Sequence, residues 1–500
     1  MKRRELLEER NLERRDILKA AGAGAGAVGV LGIGAYSWTR SGQENSESPV
    51  PRPPENGEEP PNGQPSNGQP PSDDPPIDAI PHADDFSSIV ETIETGLEPD
   101  MGEPVNFLFD EYSGDDTLLA FEPGTYQLDP IQLADTTHLG IVSSGEQPVR
   151  FVPTAGNCRG GNPYIFMNQV SDLVWENVTF DFTDSEAGGP IHLFLRGDSI
   201  IRDVTYQGTC SNQLGIMRVE VLDSSGSALF ENLQASNIDE NHTLTGVYVS
   251  GNHAGEATFR DCNLEEFSDN GLYASAPGGP NGNDGTVNVV GGVYRNNNIA
   301  NVRLGSSGSV AEDVTVIVDS ETPGWGQLNS RGIRLRNKSG QVIENCEITF
   351  EPEAAYSFGA IVFHKNNSGG LVRDSTIRLR RDEIPAIKAF PDANPGTGKP
   401  EFEDLVVAGN AAGGYTAEIE GRDETEFRNC TIVQPGSDRR GIRLLDCQNC
   451  RIVDSHVHVA EEPLILHNSS ATVENTTFIS EGGREYVEQR SYENETVTIS

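Results

Sequence analysis

The chain has 500 residues, 77 acidic and 36 basic, for a formal net charge of −41 and a sequence pI near 4.4. Six lysines stand against thirty arginines. That balance excludes a nucleic-acid binder with a basic, phosphate-neutralising surface, and a binder of anionic membranes. Only 35% of residues are hydrophobic and no run of 18 strongly apolar residues occurs, which excludes a multi-span membrane protein.

Residues 1–40 read as an export segment. Arg14-Arg15-Asp16-Ile17-Leu18-Lys19 resembles the twin-arginine motif, and a mildly apolar, Ala- and Gly-rich run from Ala20 to Tyr36 follows. Such a run suits a signal core better than a spanning helix. The expected location is the cell surface or the outside, with an N-terminal membrane tether if the segment stays uncleaved. Residues 41–82 read as a linker: twelve prolines fall between Ser41 and Pro81, with no apolar periodicity to bury. The acidic bias resembles that of exported proteins of salt-loving archaea, where salt screens carboxylate repulsion to within about 3 Å at 1 M.

Residues 83–168 are expected to hold an N-terminal cap and the first coils. Phe86, Ile89, Val90 and Ile93 fall at helical spacing, with Asp84 or Asp85 to cap the helix and Gly96 to end it.

From residue 169 to 480 one phrase recurs: apolar, apolar, charged, Asn or Asp, small apolar. Its Asn/Asp positions include Asn177, Asp203, Asn232, Asp261, Asp313, Asn345, Asp374, Asp404, Asn429, Asp454 and Asn475, with Gly291 filling one gap. The period varies from 21 to 32 residues, which fits neither a propeller blade nor a helical repeat. A second phrase lies between: Gly246-Val247-Tyr248-Val249, Gly271-Leu272-Tyr273-Ala274, Gly332-Ile333-Arg334-Leu335. Each repeat therefore carries two or three short strands. About twelve such coils predict an all-β, right-handed parallel β-helix roughly 55 Å long at about 4.8 Å per coil. The Asn/Asp series is expected to form a buried ladder between coils, Asn345 included. Residues 481–500 are a C-terminal cap or tail.

Together with Phe121-Glu122-Pro123-Gly124-Thr125-Tyr126, which is similar to an early strand of such domains, this pattern resembles the pectate lyase and pectin lyase-like superfamily over roughly residues 83–480. The resemblance implies a helix over the open N-terminal end. It implies fold more than function, since one fold hosts many activities.

Cys262, Cys346 and Cys430 follow the ladder residue and read as core positions, while Cys158 and Cys210 sit where a pair outside the cell is allowed. Cys447-Gln448-Asn449-Cys450 lacks the second Cys-x-x-Cys that a zinc site needs. His456 and His458 alternate on a strand and read as a solvated pair.

Stacking the second phrase gives one outward row of Tyr248, Tyr273, Asn301, Arg334, Ile361 and Lys388, and a second of Ser250, Ser275, Arg303 and Arg336. Tyr248, Tyr273, Arg303, Arg334, Arg336 and Lys388 are the expected substrate-binding set. They are read as an exposed groove for an anionic polysaccharide or cell-surface glycan, whose carboxylates or sulfates suit guanidinium forks. Asp239, His242 and Asp269, in adjacent turns, are the candidate catalytic groups, a carboxylate pair being what glycoside hydrolysis requires. Superfamily lyases instead use an Arg or Lys base with calcium, and no convincing calcium cluster is visible in the sequence. No cofactor is assigned, calcium stays open, and no metal ligand is named. Hydrolase, lyase and non-enzymatic surface, adhesion or spacer protein all stay open, as does the oligomeric state.

Overall fold

The computed structural model describes residues 80–154, 163–183, 189–208, 210, 215–237, 244–321, 328–394, 398–483, 487–489 and 496–499. The chain divides into Met1–Asp74 and Pro75–Ser500. The expected export segment and nearly all of the linker lie outside the described residues, as do Cys158, Asp239 and His242.

The second unit is the predicted parallel β-helix. Each turn visits three faces. One turn runs through Glu256–Arg260 on the first, Asn263–Glu265 on the second and Asn270–Ala274 on the third. The next repeats this with Thr286–Val290, Val293–Arg295 and Ala300–Leu304, each strand pairing in parallel with its predecessor. The third face is a sheet of fourteen strands. The first two faces merge into one sheet because Val174–Phe182 and Asp198–Gly208 pass the corner unbroken.

Alternation along each strand sends every second side chain inward, so like residues stack at coil spacing. Phe230 lies on Phe259 with ring centroids 4.8 Å apart, and Phe402 on Phe427 at 4.6 Å. Cys262, Cys346 and Cys430 occupy the same interior column, fully or almost fully buried, and burial pushes their thiols up to about 12. On the outer surface of the first face Glu176, Arg202, Glu231 and Arg260 alternate from coil to coil. Arg202 bridges Glu176 at 3.3 Å and Glu231 at 2.6 Å. Exposed pairs of this kind contribute about 0–1 kcal/mol each.

The Asn/Asp phrase has a backbone cause. Every one of the eleven residues from Asn177 to Asn475 named above sits at the corner between the first and second faces with φ between 46° and 58°, and Gly291 has φ 66°. The left-handed conformation costs most L-residues about 1–2 kcal/mol, and Asn, Asp and Gly tolerate it best. The following apolar residue then points into the core. The ladder is outside, not buried: Asn345 is exposed. Its amide still reaches the neighbouring coil, donating to Asp313; Asn232 does the same to Asp203 at 2.6 Å and Asn475 to Asp454 at 3.1 Å. A left-handed corner residue turns its Cβ away from the cylinder, which is why sharing between coils survives while burial does not.

The N-terminal cap also differs from expectation. Residues 86–95 are not a helix. Ser88–Glu91 is a strand that pairs in parallel with Thr117–Phe121, flanked by 3-10 turns at Ala83–Asp85 and Thr92–Thr95. Gly96 ends the second turn with φ 80°. The open edge of the first coil offers Ile89 and Val90 a ladder, and β-branched residues suit it. The α-helix lies later, at Asn106–Tyr112, and buries Leu108 and Phe109 against Phe121 and Phe151. At the other end, Val487–Gln489 and Thr496–Ile499 still pair with the coil before.

The buried arginines Arg439 and Arg422 each bind several main-chain carbonyls across coils. Arg439 donates to the carbonyls of Gly413 at 2.7 Å and Ile384 at 2.9 Å, and to Thr416 Oγ1 at 3.3 Å. Arg422 donates to the carbonyls of Phe390 at 2.7 Å, His364 at 3.0 Å and Asn367, with Asp392 3.6 Å away. Burial lowers both guanidinium groups to about 10.

We expect Asn345→Leu to destabilise the chain by about 1–3 kcal/mol, from the left-handed φ and the lost bond to Asp313. Asn345→Gly should recover most of the backbone share. Urea midpoints of the two variants check this; equal midpoints for Asn345→Leu and wild type would remove the corner argument.

Candidate functional site

The third face orders its outward side chains by register. Tyr248 stands beside Tyr273, Tyr273 beside Arg303 and Arg303 beside Arg334. Val362 follows Arg334, then Lys388 and Glu418. Two positions differ from the predicted rows. Arg303 joins the tyrosine row, displacing Asn301, and Val362 displaces Ile361. In both coils the glycine that opens the phrase is replaced, by Asn301 and by Ala360, so the sequence offered no marker for the strand start.

The expected binding set is brought together. Tyr248 and Tyr273 stack with centroids 5.0 Å apart and planes 14° apart. The Arg303 guanidinium lies 3.9 Å from the Tyr273 ring centroid and donates to Ser275 Oγ at 2.7 Å. Burial and then the charges of Arg336, Arg334, Arg303 and Arg331 hold the His364 imidazole well below its usual range. Lys388 pairs with Glu418 and lies 5.4 Å from the Phe390 ring centroid.

The row is not an exposed groove. Tyr273 is 5% exposed, Arg303 4%, Arg334 1% and Arg336 6%. Loops at both ends of the third-face strands border it. Asn337 Nδ2 donates to the Ser275 carbonyl at 2.5 Å, and Phe358 covers the Arg331 guanidinium at 4.9 Å. Periodicity shows which way a side chain points from its own strand. It is silent on what the loops that join the strands lay over it. Tyr356 in these loops keeps 38% of its surface exposed and packs edge-on against Phe358 at 5.9 Å.

Asp269 is buried. It accepts a hydrogen bond from Thr245 Oγ1 at 2.7 Å, and its own N–H donates to the Leu244 carbonyl at 2.9 Å. Asp239 and His242, its proposed partners, lie outside the described residues, so the carboxylate pair has no measured separation. Among the described residues, no group of three or more His, Cys, Asp or Glu side chains is arranged to hold a metal ion. His456 and His458 do face outward together on the second face, with Thr431, Val433, Thr477 and Ile479 beside them; His458 contacts Glu481 at 3.3 Å.

The row extends further than the sequence indicated. Phe166, His192 and Arg218 precede Tyr248 on the same column. Pro190 stands before that strand in place of glycine, which hid it, though the alternation Ile191-His192-Leu193-Phe194 was there to be read. Arg218 donates to Glu220 at 2.9 Å and lies 4.9 Å from the Phe194 ring centroid. Elsewhere, a cleft of about 780 Å³ lies at the corner of the first two faces, lined by Glu176, Asn177, Asp203 and Asn232 among others. Its carboxylates Glu176 and Asp203 are already bonded to Arg202 and Asn232.

His192 lies against Phe166 and Phe194, with ring centroids 6.0 and 5.9 Å away. Burial first, and Arg218 second, lower its imidazole to about 4. The folded state therefore holds it neutral, while the unfolded chain takes up that proton near pH 6.5. Between these values the unfolded state binds more protons, so stability is lost as pH falls from about 6.5 towards 4. His192→Phe should remove on the order of 1–3 kcal/mol of that loss. Urea unfolding across this pH range reads it out; identical pH slopes for wild type and variant would overturn it.

No protein-family model matches the chain, and no curated protein matches it. Solved structures similar to it include the catalytic unit of a GH87 α-1,3-glucanase from Streptomyces thermodiastaticus strain HF3-3, at 9% identity over 83% of this chain and 69% of that one, with TM-score 0.35. The surface protein and adhesin PfbA of Streptococcus pneumoniae matches at 10% identity over 82% and 100% of the two chains, with TM-score 0.34. The A-module of the mannuronan C-5 epimerase AlgE4 of Azotobacter vinelandii matches at 9% identity over 82% and 99%, with TM-score 0.29. Likenesses at this level assign no family and transfer no activity.

Proposed function

We propose that the protein is an exported cell-surface β-helix that holds an anionic polysaccharide against its third face. The observation that carries this is the gathering of Arg303, Arg331, Arg334 and Arg336 around His364, with Lys388 nearby, on a chain of net charge −41. Buried, these groups act through their field, which is stronger in a low-dielectric setting than in water. Contact with the sugar falls to the bordering loops, where Tyr356 presents an aromatic surface with an apolar body and a polar tip. Arg14-Arg15 supports export by the twin-arginine route, and the proline-rich segment 41–82 serves as the tether. The acidic composition supports a high-salt setting. The activity proposed is binding; of the groups on which cleavage would rest, Asp269 is buried, and Asp239 and His242 lie outside the described residues.

A second reading, a rigid surface spacer without a ligand, is favoured by one observation: the same arginines are buried. Affinity electrophoresis against a polyuronate, a sulfated glycan and a neutral glucan separates the two. Retention by the anionic polymers alone is expected at low salt. Arg336→Gln should weaken that retention by about 10- to 100-fold, the equivalent of one charged interaction of about 1.5–3 kcal/mol. Circular dichroism checks that the variant is folded. Wild type that ignores all three polymers would leave the spacer reading.

A further inference from the structure

The corner between the third and first faces near the C-terminal end holds two thiols. Strand Arg440–Leu445 ends before it and Cys450–Val453 begins after it. Asp446 and Asn449 are left-handed, with φ 56° and 57°. These two reversals, with Cys447 and Gln448 between them, aim both cysteine side chains into the cylinder, where Cys447 is 0% and Cys450 1% exposed.

Both sulfurs rest on the main chain of one residue in the preceding coil. The Arg422 N–H donates to Cys447 Sγ at 3.4 Å, and the Cys450 thiol donates to the Arg422 carbonyl at 3.8 Å. They are therefore neighbours, converging on one peptide unit. The neighbouring thiol lowers that of Cys447 and raises that of Cys450. The coils on either side use hydroxyls at this corner. Thr425 Oγ1 donates to the Arg422 carbonyl at 3.0 Å, and Ser469 Oγ accepts from the Cys447 N–H at 3.0 Å. A hydroxyl would satisfy the same backbone groups, so paired thiols here bring chemistry that hydroxyls lack.

We infer that Cys447 and Cys450 form a disulfide inside this corner under oxidising conditions. The compartment rests on the export reading above; the chemistry does not. The oxidant is a small soluble disulfide such as oxidised glutathione. The Cys447 thiolate attacks one of its sulfurs, a mixed disulfide forms and one small thiol leaves. Cys450 Sγ then attacks Cys447 Sγ and the second small thiol leaves. Two protein thiols are oxidised, one disulfide is reduced to two thiols, and the two protons pass to them. The convergence of both side chains on the Arg422 main chain already meets the first requirement of disulfide geometry.

The test uses the full chain, incubated with oxidised and reduced glutathione, then acid-quenched, denatured and alkylated with iodoacetamide. Mass spectrometry of the peptides reads the outcome. The expected peptide carrying Cys447 and Cys450 is lighter by two hydrogen atoms and carries no alkyl group. In Cys450→Ser, Cys447 should appear alkylated or joined to glutathione. Wild type with both thiols alkylated would overturn the proposal. So would finding either one bridged to another cysteine, such as Cys430. If Cys450→Ser fails to fold, the wild-type peptide still decides.

Discussion

Backbone pairing between successive coils is the constraint from which the rest follows. A coil cannot satisfy its own amides; each strand finds its partners one turn above and one turn below, always in parallel. Parallel stacking makes position, not neighbourhood in sequence, the unit of design. Asp261 answers to Gly291 one turn on, and Gly291 to Asp313 one turn further. The cheapest way to keep every turn the same is to repeat the residue that the corner backbone demands. Asn, Asp and Gly recur there because a left-handed φ excludes most alternatives.

This explains what was legible in the sequence. Backbone demands are local, so the corners, the alternating strands and the core cysteines at 262, 346 and 430 could be read from single residues and their spacing. Misreadings arose where a local signal was ambiguous or missing. Phe86, Ile89, Val90 and Ile93 satisfy a helical spacing, yet the free edge of the first coil draws Ser88–Glu91 into a ladder. Asn301 and Ala360 stand where glycine opens other coils, and the row slipped there. The candidate site was legible as a column and illegible as an environment. Arg334 and Arg336 point outward from their strand, but the loop residues Asn337 and Phe358, outside the alternating pattern, pack on Ser275 and Arg331 beside that column.

The charges are sorted by place. On the first face Glu and Arg alternate up the cylinder in partly exposed ladders, which suits a long surface that must not repel itself. On the third face Arg303 and Arg334 stand in one column with Tyr248 and Tyr273, and both guanidinium groups are removed from water. Placing charge in a dry setting is costly unless its donors are used. Arg303 meets that condition through Ser275 and Tyr273. The acidic excess of the chain thus lies over a cationic seam that composition averages away.

Arg439 and Arg422 add a mechanical property to the cylinder. A plain stack of coils, held only by ladders to its nearest neighbours, would peel under tension one turn at a time. Arg439 grips carbonyls at residues 384 and 413, and Arg422 reaches back to 364, 367 and 390. Peeling the turn that carries either arginine must release main-chain bonds two turns further in. The C-terminal half therefore yields to a pulling force as a block of several turns, with a rupture length of many residues, and a chain fastened at a surface by its other end would resist slow unravelling there.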